Sequence, residues 1–566
     1  MRRTPGLLAA GLAMLFARPV LAASAPPVTA AHGLVVAPER RAAEVGVAIL
    51  ERGGNAVDAA VATALALAVT YPRAGNLAGG GFAIYRAPDG TSHALDFREV
   101  APAALTSALF LDASGHVDPK RSLERGLSVG VPGSVRGLHA LHERYGVRPW
   151  AEIVAPSVAL ADEGVLVSPR SAEIFAAESG RLSADPAARA IFTKDGAPLA
   201  EGDRLVQKDL AATLRGIAER GPAAFYEGPV AAAIVRAVRD TGGVLDPRDL
   251  AAYRPVIRAP LAGRYRDRTL VTFPPPSSGG VVLLEILGML ERFDLGRSGA
   301  GSSLTLHRIA EAERRAFADR SEFLGDPDFV QVPVAGLLDP SYLRARSLGI
   351  RDDRATPSAR VLPGRPADSE GTETLHLSVG DAAGGAVALT TTLNSWFGSA
   401  IVAPGTGVLL NNEIDDFALA PHAANQFGLV GGAANAPAGG KRPLSSMCPT
   451  IVEDTPPGRR PRMVLGSPGG PAIISAVLQT VLHVIDDGMT LQEAVDAPRI
   501  HHQWMPDTLF VEPHALARDV ADALAARGHV LGVREPIGNV CAIGVDDRGR
   551  WTGAADPRGE GAAVGY

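Results

Sequence analysis

From residue 357 to 369 the chain is dense in Pro, Gly, Ser and Arg, and from Thr374 onward it changes to strict alternation. Leu375, Leu377 and Val379 fall on one side, His376 and Ser378 on the other. A loop-forming run that gives way to period-two patterning predicts an exposed loop entering a half-buried strand. A Thr stands at that junction, and cutting the chain before it would make Thr374 a new N-terminus. Its hydroxyl would be a nucleophile and its own α-amine the base. An α-amine titrates near roughly 7.7–8.0, so a useful fraction is neutral at working pH. Taken alone, such a residue is ordinarily a surface Thr opening a strand, and the rest of the sequence has to decide.

With 566 residues the chain forms either several domains or one large layered core. Apolar content of 46% and charged content of 20% fit a globular protein. A net charge of -6 and no basic run interleaved with aromatics exclude a nucleic-acid footprint. Met1-Arg2-Arg3, an apolar stretch from Gly6 to Ala17 and small residues at Val20-Leu21-Ala22 predict a secretory signal over 1–22. The apolar run is too short to span a bilayer, so a periplasmic or secreted mature chain without a membrane span is expected.

Arg40 to Glu51 reads as a helix stopped by Gly53-Gly54, and Asn55 is placed to cap a second helix, Ala56 to Thr70. That second helix is almost all Ala, Val and Leu, and with Asp58 inside it a buried core helix is expected. Phe82–Tyr85, a Pro88-Asp89-Gly90 turn and His93–Arg98 read as a hairpin, and residues 123–348 as helix-rich. Further strands are predicted at 386–393, 407–410 and 463–465, with a helix starting at Pro471 and ending by Gly488. Helices on the N-terminal side and strands around Thr374 predict two sheets sandwiched between helix layers.

Gly469-Gly470 before that helix offers two backbone N–H groups at the positive end of a helix dipole. Such a turn suits an oxyanion or a phosphate, or is simply a strand-to-helix turn. Asn411 to Asp416 clusters short polar and acidic groups; calcium needs more oxygen ligands at defined steps, leaving an ammonium or water. His139 and His142, and His501-His502, lack acidic or cysteine company at ligand spacing, so structural histidines and no metal or other cofactor are expected. Cys448 and Cys541 are read as two buried thiols.

Together these residues resemble the γ-glutamyltransferases, members of the N-terminal nucleophile hydrolases. The resemblance is carried by Gly75–Phe82, Asp96–Glu99, Pro274–Gly280, Asp319–Pro327, Thr374–Val379, Thr392–Asn394, Leu409–Phe417, Gly428–Gly432, Lys441–Met447, Gly466–Gly470 and Asp556–Arg558. It spans nearly the whole mature chain. It implies an α+β fold, a four-layer αββα sandwich formed by two subunits cut from one precursor, 23–373 and 374–566. The cut would fall at Glu373-Thr374, with Thr374 as nucleophile, Thr392 orienting it, and Gly469 and Gly470 as oxyanion hole. Arg98, Ser445 and Ser446 would hold the donor's α-carboxylate; Asn394, Glu413 and Asp416 would hold its α-ammonium. Substrates would be γ-glutamyl amides such as glutathione, with water, amino acids or peptides as acceptors. Two positions depart from the family pattern. Phe427 stands where many members have Tyr, in a stretch (418–440) resembling the lid over the glutamyl pocket, and it cannot donate a hydrogen bond to Asn394. Ala78 replaces a glycine in the family's glycine run. A cephalosporin (glutaryl) acylase of the same family and a non-catalytic periplasmic solute-binding protein are the alternatives.

If Thr374 attacks its own preceding carbonyl, purified protein runs as two bands on a denaturing gel, the smaller beginning Thr374-Leu375-His376. Thr374→Ala should remain one inactive chain; efficient cleavage of that variant at the same bond would sink self-processing.

Overall fold

The computed structural model describes residues 24–364, 375–420 and 424–566. The predicted signal, Glu373 and Thr374 lie outside the described residues.

Two seven-stranded sheets, antiparallel throughout, form the centre. In the first, Leu375–Gly380 lies between Leu34–Ala37 and Ala386–Thr392. Ala386–Thr392 pairs in turn with Gly80–Arg86, bringing Leu375 opposite Thr391 and Thr392 opposite Gly80. Ser92–Asp96 and Val256–Arg258 extend this sheet on one side and Ala562–Gly565 closes it on the other. The second sheet runs from Val28–Ala30 through Trp551–Ala555, Cys541–Val545, Met463–Gly466, Thr450–Asp454 and Arg268–Thr272 to Leu261–Tyr265.

Three apolar clusters account for the layers. Leu375, Leu377 and Val379 pack outward with the helices Arg40–Glu51 and Ala56–Thr70. Leu34, Val36, Phe82, Ile84 and Ala388 meet Ile451, Val464, Ile543 and Trp551 between the sheets. Leu270, Val452 and Leu465 face the helices Gly279–Leu290, Ser303–Phe323 and Ala472–Ile485. The order helix, sheet, sheet, helix is the predicted α+β sandwich. Between-sheet side chains exclude water from both faces at once, at roughly 25 cal/mol per Å² of apolar area removed.

Helix Ala56–Thr70 is buried along its whole length, as its uniform apolarity requires. Asp58 is tolerated there because it closes a capping box: Asn55 Oδ1 accepts from Asp58 N and Asp58 Oδ2 from Asn55 N, each at 3.0 Å.

The strand after Thr374 is not half-buried. Both its faces are covered, because its polar side meets the second sheet rather than solvent. Ser378 Oγ donates to Val464 O and Cys541 O, both at 3.1 Å, across the gap. With that hydroxyl proton committed, His376 Nε2 donates to Ser378 Oγ (3.0 Å) and Nδ1 accepts from Thr390 Oγ1 (2.9 Å). The ring is therefore neutral, and burial pushes its pKa down to about 3. Alternation in sequence recorded a polar seam inside the sandwich.

Gly466 lies against that seam: a Cβ there would fall 2.4 Å from His376 Nδ1. His376 is pinned on both nitrogens and cannot yield, so Gly466→Ala should cost about 1–3 kcal/mol of stability. Calorimetry of the purified variant should show the corresponding drop in Tm; an unchanged Tm would mean that the sheets separate freely here.

Candidate active site

Thr392 is the last residue of its strand, one step beyond the partner of Leu375. A cavity of about 270 Å³ opens at this sheet end, lined by Leu375, Thr392, Asn394, Phe427 and Gly469 among others. Thr392 Oγ1 accepts from Asn394 N at 2.7 Å, and Thr392 O accepts from Asn76 Nδ2 at 2.8 Å. Asn394 has φ +74°, a left-handed conformation that Asn tolerates better than most side chains. Its Nδ2 donates to Asn412 O at 3.0 Å, while its Oδ1 is buried without a hydrogen-bond partner. Phe427, which carries no donor, shares the cavity with it.

Gly469 and Gly470 have φ of +133° and +66°, conformations that favour glycine at both positions. Gly469 lines the cavity; Gly470 leads into the helix, its carbonyl accepting from Ile473 N at 3.0 Å.

Beneath the surface lies a buried charged cluster. Arg98, Glu99 and Glu413 have no exposed area, and Asp416 retains 3%. Glu413 and Asp416 are held on one turn of 3-10 helix, Glu413–Asp416. The Arg98 guanidinium donates to both acids, and its Nε donates to Pro443 O at 3.1 Å. Glu99 Oε2 is 3.7 Å from Arg98 Nη1, and among the described residues neither Glu99 carboxyl oxygen nor Glu413 Oε2 has a hydrogen-bond partner. Buried carboxyl groups close to one another resist ionising together. Burial raises the pKa of Glu99 to about 7 and pushes that of Glu413 well up. Among the described residues Arg98 thus faces three buried carboxyl groups, two of which burial pushes towards the neutral form.

A sequence model of the family described as Gamma-glutamyltranspeptidase matches residues 42–566. The chain belongs to this family. It is 46% identical over 533 residues to a glutathione hydrolase proenzyme of Escherichia coli (strain K12), covering 94% of this chain and 91% of that one. A cephalosporin acylase from Bacillus halodurans superposes with a TM-score of 0.85 at 29% identity, covering 97% and 98%. A Helicobacter pylori gamma-glutamyltranspeptidase chain superposes with a TM-score of 0.56 at 42% identity, covering 57% of this chain and 93% of that one. The protein is an enzyme, and the solute-binding alternative falls away.

In this transpeptidase-family member the predicted residues form three adjoining groups rather than one ring. Thr392, Asn394 and Gly469 rim the cavity, and Arg98 joins Glu413 and Asp416 directly. Ser445 and Ser446 lie on the loop whose Pro443 carbonyl caps Arg98, and both are fully buried. Ser446 Oγ accepts from Arg320 Nη2 at 3.1 Å, and Arg320 Nε donates to Ser278 Oγ at 3.1 Å. Ser445 Oγ accepts from Met447 N at 3.1 Å, and its carbonyl accepts from Ser278 N at 2.6 Å. Glu99, Arg320 and Asn412 were missed as site residues. Adjacency marks the position of Glu99, which follows Arg98, and of Asn412, which precedes Glu413, though not the role of Glu99; nothing local marks Arg320. Cys448 and Cys541 are both free and buried.

Glu99 has a raised folded-state pKa, so its neutral form stabilises the fold at low pH. That contribution is complete below about 4.5 and is lost as pH rises through about 7. Glu99→Gln fixes the neutral form, so its Tm should fall less than wild type between those pH values. Parallel Tm–pH curves would refute the raised pKa of Glu99.

Proposed function

We propose that this enzyme is a secreted or periplasmic γ-glutamyltransferase and glutathione hydrolase. Its precursor loses residues 1–22 and is cut before Thr374 into subunits 23–373 and 374–566. The observation that carries the reading is the buried grouping of Arg98 with Glu413 and Asp416, next to the Asn394 that lines the cavity. A donor ending in an α-amino acid brings one carboxylate and one ammonium. Arg98, Ser445 and Ser446 take the carboxylate, and Asn394, Glu413 and Asp416 take the ammonium. The orphan Oδ1 of Asn394 is an acceptor available to that ammonium. Leu375, the first described residue after Thr374, lines the cavity with Thr392 and Gly469, which supports attack there.

The α-amine of Thr374 removes the hydroxyl proton as Oγ adds to the γ-carbonyl carbon. The N–H groups of Gly469 and Gly470 receive the oxyanion, which is stabilised most where water is excluded. Collapse breaks the C–N bond; the protonated α-amine returns its proton to the departing amine, leaving a γ-glutamyl-Thr374 ester. Water or an acceptor amine then attacks the ester by the reverse proton path, regenerating Thr374. The two-subunit form is supported by the Helicobacter pylori chain, nearly all of which is matched by little more than half of this one. Among the described residues no helix is long and apolar enough to cross a membrane.

The likeness to a cephalosporin acylase favours one rival, a glutaryl donor without an ammonium. Such a donor would offer nothing to the buried acceptor Oδ1 of Asn394, leaving it unpaired at a cost of about 1–3 kcal/mol. Asp416→Asn decides between them. It should lower kcat/KM for a γ-glutamyl anilide by the worth of a charge-assisted bond, about 1.5–3 kcal/mol, and spare a glutaryl anilide. An equal fall for both donors would remove the main support for γ-glutamyl chemistry.

A further inference from the structure

Behind the cavity runs a chain of buried polar side chains that the proposed chemistry does not use. Glu313, on helix Ser303–Phe323, lies 2.5 Å from Ser475 Oγ. Ser475 Oγ lies 2.7 Å from His501 Nδ1, and His501 Nε2 lies 3.0 Å from Gln503 Oε1. Gln503 Nε2 donates to Phe427 O at 3.0 Å and to Met505 O at 3.2 Å. Glu313, Ser475 and His501 have no exposed area, so this is not a second Ser-His-acid nucleophile: no substrate reaches it.

Proton counting gives the chain one direction. Two carbonyls facing the Gln503 amide fix its nitrogen, so Oε1 accepts and His501 Nε2 carries the hydrogen. A neutral ring then leaves Nδ1 bare to accept from the Ser475 hydroxyl. That hydroxyl has no second proton to give, so the Glu313–Ser475 contact must use a proton on Glu313. Burial independently raises Glu313 to about 8 and lowers His501. Glu313 Oε2 accepts from His502 N at 2.9 Å.

The far end of the chain is a compact turn. Asn425 Oδ1 accepts from Phe427 N at 3.0 Å and Leu429 N at 3.2 Å, and Ala424 bridges to Val430. Among the described residues its remaining side-chain ties are at Gln426, to Ser395 Oγ (2.7 Å) and Asp415 Oδ2 (3.1 Å). Phe427 presents no hydroxyl to the cavity, so the fixed polar hold at the apex is its own carbonyl.

We propose that Gln503 is a positioning residue that latches the turn 424–430 against the donor cavity, oriented from behind by the His501–Ser475–Glu313 chain. The latch rests on the proposed reading that this cavity receives the donor. Substrate affinity, not the chemical step, is what it controls.

Gln503→Met keeps the volume and removes both amide contacts. Hydrogen exchange by mass spectrometry on the mature enzyme should show amides 424–430 exchanging about tenfold faster, with KM for a γ-glutamyl anilide up about tenfold and kcat within about threefold. Glu313→Gln should leave both readouts as in wild type, because an amide supplies the donor and the acceptor that a protonated Glu313 supplies. Unchanged exchange at 424–430 in Gln503→Met, or a fall in kcat with KM constant, overturns the latch. Faster exchange in Glu313→Gln overturns the assigned direction of the chain. If Gln503→Met does not fold, Ser475→Ala decides, with faster exchange of the same turn expected and unchanged exchange overturning. Wild type without turnover of γ-glutamyl donors would sink the proposed function, while the exchange result on 424–430 would still decide the latch.

Discussion

A guanidinium with no exposed surface sets the terms for everything near it. Arg98 has to be answered by anions in the same dry space, and an isolated pair there would gain little once both partners are desolvated. The protein surrounds it with three carboxyl groups, two of which burial pushes towards the neutral form. The Arg98 backbone N–H donates to the Asp96 carboxylate (Oδ1, 2.9 Å), and one 3-10 turn holds Glu413 and Asp416. Binding sites held in this way need little reorganisation when a ligand arrives.

The sandwich fixes where that site lies. Register pairs Leu375 with Thr391 and places Thr392 at the sheet end. Glycine at 79 is required there, because a Cβ would fall 1.8 Å from Thr392 O. The loop of Gly469 and Gly470 enters from the second sheet, through Met463–Gly466. The cavity therefore sits where the two sheets' ends converge, and chemistry depends on both sheets keeping their spacing. The buried His376–Ser378 seam supplies directional contacts across that spacing, which apolar packing alone does not.

Much of the fold was legible. The first two helices and the Asn55 cap stand where periodicity and capping residues predict. The strands Val256–Arg258, Leu261–Tyr265 and Thr450–Asp454 were not, since they are short, Arg- and Glu-bearing, and gain their burial only from partners distant in sequence. The strand after Thr374 misled for a related reason: a polar face means solvent only when nothing polar waits opposite. At the site, glycines before a helix and an acidic turn announced themselves locally. Glu99 and Arg320 did not, because their roles arise from which buried group lies opposite, and pairings such as Arg320 with Ser446 link residues 126 positions apart. No local pattern encodes such a distance.

Closure follows from the same burial. The cluster that would read the donor's head group has almost no exposed area, so donor entry requires some covering segment to move. The turn bearing Phe427 is held by a few hydrogen bonds, at its apex the one from Gln503 Nε2 to Phe427 O, and opening costs least where polar ties are fewest. The helix that follows Gly469-Gly470 also carries Ser475, near its first turn. One element therefore touches the Gly469-Gly470 turn at its end and the chain behind Phe427 along its side. A shift of this helix large enough to displace the glycines would also pull on His501 and Gln503. Closing the cavity and placing the Gly469 and Gly470 backbone are thereby made parts of one packing arrangement.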